Sequence, residues 1–141
     1  IETATGEKLA DRVEWVKFSG LSWAKDGSGF YYSRYPETSA AEKFTALNMN
    51  QKVYFHRLGA AQSEDRVIVE DPARPDVGWG ADVTDDGRYL VVSSWRGTDG
   101  NGLRFIDLAL NEKVTIVVDD FANNHIVIGN VGSTFFVQTD F

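Results

Sequence analysis

The sequence predicts an all-β fold built from repeated four-stranded antiparallel units, and three observations carry that prediction. Short apolar runs alternate with Gly, Asp, Asn and Pro along most of the chain, the rhythm of a protein made of hairpins. Aromatic residues reach 13%, with four Trp, nine Phe and five Tyr, and such side chains favour pleated, half-buried strands. The chain also repeats itself. "DGSGFYYS" (Asp26 to Ser33) returns as "DGRYLVVS" (Asp86 to Ser93), each an Asp-Gly pair, two spacers, three large apolar residues and a serine.

Taken in order, strands are expected near Val16 to Trp23, Phe30 to Tyr35, Lys52 to Leu58 and Arg66 to Glu70. A second series follows near Gly80 to Val83, Tyr89 to Ser94, Leu103 to Leu108 and Thr115 to Asp119, and a third begins near His125 to Ile128 and Thr134 to Thr139. Asp26-Gly27 and Asp86-Gly87 supply the positive φ that tight turns demand. The one stretch with helix signals is Ser39 to Lys52, where Ala and Leu are frequent and a capping-type hydroxyl precedes Glu42. The echo continues beyond the turns: "VYFHRL" (Val53 to Leu58) matches "LRFIDL" (Leu103 to Leu108), and "VIVED" (Val67 to Asp71) matches "IVVDD" (Ile116 to Asp120).

Two complete four-strand units and one hairpin of a third are thus expected, about two and a half blades. They divide as 1–15 (the end of a preceding blade), 16–71, 76–120 and 125–141. A four-stranded unit repeated in tandem is the signature of a β-propeller blade. A β-sandwich also offers many short strands, but the matched order of four strands across two units favours the propeller. Two and a half blades cannot close a ring, and open strand edges invite pairing with another chain. The expectation is therefore a piece of a larger propeller, or a module that closes by self-association.

The composition limits the partners. With 14 basic and 21 acidic residues the net charge is -7, the wrong sign for holding nucleic-acid phosphates. No apolar run approaches the roughly 20 residues of a membrane helix. Cysteine is absent, which removes disulfides, thiolate metal sites and a cysteine nucleophile but leaves the compartment open between cytoplasm and periplasm. No serine has the G-x-S-x-G flanks of a hydrolase nucleophile. His56 and His125 are the only histidines, lack zinc-binding spacing, and read as exposed or satisfied strand residues. "GTDGNG" (Gly97 to Gly102) joins two strands, so it reads as a hairpin loop and not as a phosphate cradle, which would open a helix. No catalytic residue, metal site or cofactor is expected. Phe18, Trp79 and Trp95 lie at strand ends, where they either face a central channel or pack between blades.

Longer words carry a resemblance. "VEWVKFSGLSWAKDGSGFYYSRYP", "QKVYFHRLGAAQSEDRVIVED" and "GADVTDDGRYLVVSSWRGTDGNGLRFIDL" resemble, in order and over nearly the whole chain, the propeller of prolyl oligopeptidases. These are serine peptidases that cleave short peptides after proline. The resemblance implies a seven-bladed propeller that gates access to a separate α/β-hydrolase domain holding the Ser-Asp-His triad. It implies that short proline-containing peptides, that domain and the remaining blades are the partners, and that this chain is inactive alone. By the same resemblance Phe18, of the K-F-S word, would form part of an apolar substrate pocket. Thr98 stands at a position the family fills with Cys or Thr. The position of a substrate-binding arginine holds Trp95, with Arg96 one step later, and a pocket residue that is often Met falls at Gly78, beside Trp79.

Overall fold

The computed structural model describes residues 1–39, 47–110 and 113–141. Among them, ten strands form three antiparallel sheets. The first contains β1 (Leu21–Trp23), β2 (Gly29–Arg34), β3 (Lys52–Arg57) and β4 (Arg66–Val69), hydrogen-bonded in that order. The second contains β5 (Gly78–Val83), β6 (Tyr89–Trp95), β7 (Asn101–Asp107) and β8 (Val114–Val118), again in order. The third is the hairpin β9 (His125–Val131) and β10 (Thr134–Thr139).

The largest departure from the expected strands is at the start. β1 opens at Leu21, not Val16, because Phe18 adopts a φ of 54°, which no pleated strand accommodates. β5 begins two residues earlier than expected, and β9 runs on to Val131. The core of the stretch with helix signals, residues 40–46, lies outside the described residues. Lys52, which ends that stretch, opens β3.

The sequence echo is a structural echo. In the first Asp-Gly turn the Gly27 N–H donates to the Ala24 carbonyl at 3.0 Å, and in the second Gly87 donates to Thr84 at 2.8 Å. Both glycines are left-handed, at φ 72° and 73°. Each preceding carboxylate closes its turn, Asp26 accepting from the Ser28 N–H and Asp86 from the Arg88 N–H.

The sheets stack face to face, and the first junction is the main core. Tyr31, Val53 and Val69 of the first sheet meet Trp79, Leu90 and Ile106 of the second. β5 is an edge strand, so its outward peptide groups need partners once buried. Side chains of the first sheet supply them. The Trp79 N–H donates to Gln51 Oε1 at 2.7 Å, the Ser33 hydroxyl donates to the Trp79 carbonyl at 2.7 Å, and the Val83 N–H donates to Ser22 Oγ at 2.8 Å. The second junction reuses the device: Asn101 accepts from the His125 N–H at 2.7 Å and donates to the His125 carbonyl at 3.0 Å. On its other face the first sheet presents Phe30, Tyr32 and Tyr54, against which Val13 packs. Val13 belongs to a strandless segment, residues 11–19, that crosses this face as a strap.

Candidate functional site

The ladder registers bring the start of β1, the end of β2, the start of β5 and the end of β6 to one rim of the stacked sheets. Arg34 pairs with Lys52, and Trp95 pairs with both Gly78 and Asn101. Phe18, Trp79, Arg96 and Thr98 therefore gather at one end of the molecule, but they present different surfaces.

Phe18 is the exposed member, with 63% of its surface open to solvent. A left-handed backbone is a genuine outlier for an aromatic residue and persists only where neighbours enforce it. Those neighbours are visible. The Gln51 amide donates to the Lys17 carbonyl at 3.0 Å, and the Ser33 N–H donates to Ser19 Oγ at 2.7 Å, so both flanks of Phe18 are pinned. Lys17 Nζ donates to Asn48 Oδ1 at 3.0 Å and lies 5.2 Å from the Phe18 ring centroid. The Gln51 side chain, itself buried, thus holds the Phe18 flank with its nitrogen and the Trp79 backbone with its oxygen.

Trp79 resolves to the packing alternative: its indole is 2% exposed between the first and second sheets. The guanidinium of Arg104 lies 4.9 Å from that ring. Burial pulls the Arg104 pKa down from its ordinary value, while the Asp119 carboxylate it bonds opposes the shift. Arg104 also donates to Ser94 Oγ at 2.8 Å. The apolar look of "LRFID" concealed the burial of this cation; its signal was the Asp119-Asp120 pair just after the strand alongside.

Trp95 is half-buried and lies flat over Gly78, where an added Cβ would come within 2.5 Å of the indole. The glycine is therefore a requirement of this packing. Arg96 makes a two-pronged pair with Asp76, Nε to Oδ2 at 2.7 Å and an η-nitrogen to Oδ1 at 2.8 Å, with its guanidinium 5.8 Å from the Phe121 ring centroid. Thr98 is exposed in the turn that Gly97 makes possible at φ 70°. His125 serves the second junction, its Nδ1 3.1 Å from the Asn101 carbonyl. Among the described residues no group of three His, Cys, Asp or Glu is set to hold a metal ion.

Four-stranded antiparallel meanders stacked in like orientation, each with its first strand at the edge, define a β-propeller domain. The chain belongs to the prolyl oligopeptidase family, matching the description "Prolyl oligopeptidase, N-terminal beta-propeller domain" over residues 1–141. It is 37% identical to a prolyl endopeptidase of Elizabethkingia meningoseptica over 140 residues, covering 99% of this chain and 20% of that protein. It is 35% identical to prolyl oligopeptidase A of Amanita bisporigera, covering 94% of this chain and 19% of that one. Among solved structures, prolyl oligopeptidase B from Galerina marginata bound to a 35mer hydrolysis and macrocyclization substrate superposes with a TM-score of 0.85 at 30% identity. That match covers 99% of this chain and 20% of the other. The chain thus spans about a fifth of the length of these relatives.

Proposed function

We propose that the chain serves as a gating segment of a prolyl oligopeptidase, admitting short proline-containing peptides to a catalytic α/β-hydrolase domain outside it. Membership of the family over the whole chain supports this reading, as does the bound peptide of the Galerina marginata relative. The observation that carries it is Phe18: an aromatic ring held in the open, on a left-handed backbone, by bonds to both neighbouring residues. A solvent-exposed ring fixed at such a cost in strain is suited to receive an apolar side chain. Thr98 stands free to contact a peptide at the same rim, whereas Arg96 must first leave Asp76 to meet a substrate carbonyl.

The test is a pair of substrates in the intact protein, one with a large apolar residue two positions before proline and one with glycine there. Phe18→Ala should raise KM for the first by roughly tenfold or more, the equivalent of one apolar side chain left uncovered, and hardly affect the second. Equal effects on both substrates would remove Phe18 from the pocket. The 141-residue chain alone should not turn over a chromogenic Gly-Pro peptide; hydrolysis blocked by a serine-directed inhibitor would overturn the assignment.

A further inference from the structure

On the face of the first sheet that turns away from the second, the "HRLG" and "QSED" words meet in a polar cluster that the proposed function does not use. His56 is 0% exposed. Its Nδ1 lies 2.7 Å from Asp65 Oδ1 and its Nε2 lies 3.3 Å from Asp11 Oδ1. The buried Asp65 carboxylate also accepts from the Tyr32 hydroxyl at 2.6 Å. Burial, reinforced by Asp65, pushes the Tyr32 phenol up, so that hydroxyl stays a donor. Asp11 accepts from the Gly59 N–H as well, and this bond first, with His56 adding to it, holds its carboxyl below the usual carboxylate range. Both ring nitrogens of His56 therefore face an acceptor. A neutral imidazole has one N–H to offer, and only the imidazolium has two.

Asp11 stands at the near end of the strap, whose far end carries Phe18. The strap has no ladder partner: the Tyr35 N–H donates to the Trp15 carbonyl at 3.1 Å, and the other ties described are side chains. Past Asp11, the Glu14 N–H donates to Gln62 Oε1 at 3.0 Å and Gln62 Nε2 donates back to the Glu14 carbonyl at 3.1 Å. The same Gln62 nitrogen reaches the Tyr32 hydroxyl at 3.0 Å, so the strap and the cluster share a member.

We propose that His56 is a proton-dependent clamp, which in its imidazolium form fastens the strap to the first sheet by joining Asp11 to Asp65. On losing a proton the ring keeps Nδ1–H on Asp65, the shorter contact, and turns a lone pair at Nε2 toward the Asp11 carboxylate. In a water-poor site that contact is repulsive, and Asp11 lets go. Among the described residues Asp11 from the strap, Asp65 from the loop before β4, and Tyr32 of β2 acting through Asp65 are the titratable groups around the ring; Phe30, 5.0 Å away, supplies its apolar side. Release of the strap would also loosen Phe18. That last consequence rests on the reading of Phe18 as a substrate contact; the clamp itself does not.

Hydrogen exchange read by mass spectrometry on the intact protein tests it, with peptides of residues 9–20 compared with peptides of β3. After correction for intrinsic exchange, strap protection should fall roughly tenfold or more between about pH 5 and about pH 8, the scale of one lost bond to a charged group, while β3 holds. Asp11→Asn presents no charge to the neutral ring, so its strap should be protected equally at both pH values. A flat wild-type profile, or an unchanged pH response in Asp11→Asn, overturns the clamp. Should that variant lose the strap at both pH values, the ring nitrogens of wild-type His56, 15N-labelled, decide. Loss of the proton from Nε2 in step with strap release supports the clamp, and any other order overturns it. The clamp is read by strap exchange and the His56 ring nitrogens and the substrate reading by KM on the paired peptides, so failure of one is distinguishable from failure of the other.

Discussion

At the first junction Gln51 accepts the Trp79 N–H inside a closed apolar core, whereas at the second Asn101 accepts the His125 N–H beside an open cavity of about 670 Å3. Both amides sit two residues before matched positions, Val53 and Leu103, so one device is used twice. What differs is the apolar filling. The first junction buries Trp79 and Leu90 against Tyr31 and Val53, and adds hydroxyl bonds from Ser22 and Ser33 to the β5 edge. The second relies on Val91, Leu103 and Phe105 against Val127 and Phe135, and the far side of the hairpin leaves Ile128 66% exposed. The amide sets where the next sheet docks, and the apolar area sets how firmly.

The harshest way to break this comparison is to empty the first core. Trp79→Ala should cost about 3–5 kcal/mol, the range for deleting a buried aromatic, and would also strip the ring from beneath the Arg104 guanidinium. Urea denaturation followed by far-UV circular dichroism reads the loss. A change near zero would mean that the two sheets do not depend on each other for stability.

The amides give a finer contrast. Gln51→Ala leaves a buried Trp79 N–H and the Lys17 carbonyl without partners and should cost about 1–3 kcal/mol. Asn101→Ala removes bonds to His125 at a part-buried site where water can substitute, and about 0.5–1.5 kcal/mol is expected. Equal costs at the two positions would show that the amide, and not the surrounding core, determines the strength of a junction.

The distinction between these junctions was only half legible beforehand. The repeat revealed both sheets because hairpin turns are local chemistry: Asp26-Gly27 and Asp86-Gly87 announce themselves in four or five residues. The strap occupies residues 16–19, the start of the first expected strand, and nothing in the letters marks Phe18 as left-handed. Gln51 was invisible for a different reason. Its two bonds go to backbone groups of Lys17 and Trp79, distant in sequence, and a glutamine ahead of a strand looks like any loop residue. Of the two states expected for His56, exposed or satisfied, the structure shows the buried, satisfied one, and its partners Asp11 and Asp65 come together only after the strap folds over the sheet. For Trp79 the letters allow either a channel-facing ring or packing between blades, and its burial shows packing.

The smallest expected difference is electrostatic and separates the junctions by acid. At the first, Arg74 donates from Nε to Asp71 Oδ2 at 2.7 Å and from an η-nitrogen to Asp119 Oδ1 at 2.8 Å, tying the connector after β4 to the residue after β8. The Arg74 hydrogen bond holds the Asp71 carboxyl below its ordinary value. A depressed carboxyl stabilises the fold fully above its unfolded value, near pH 4, and that contribution is lost as pH falls through the folded value. At the second junction the cross-sheet bond to Asp86 comes from the neutral amide of Asn130, at 2.8 Å, and the Asp86 carboxyl is lowered first by Thr84 within its own turn. Protonating Asp86 should therefore disturb that turn more than the docking of the hairpin. Asp71→Asn, which cannot titrate, should be slightly less stable than wild type at neutral pH, and the two melting temperatures should converge below about pH 4. Added salt should shrink the neutral-pH gap, since the pair is partly open to solvent. A gap that stays constant from neutral to acid pH would show that Asp71 acts through its shape and not through its charge.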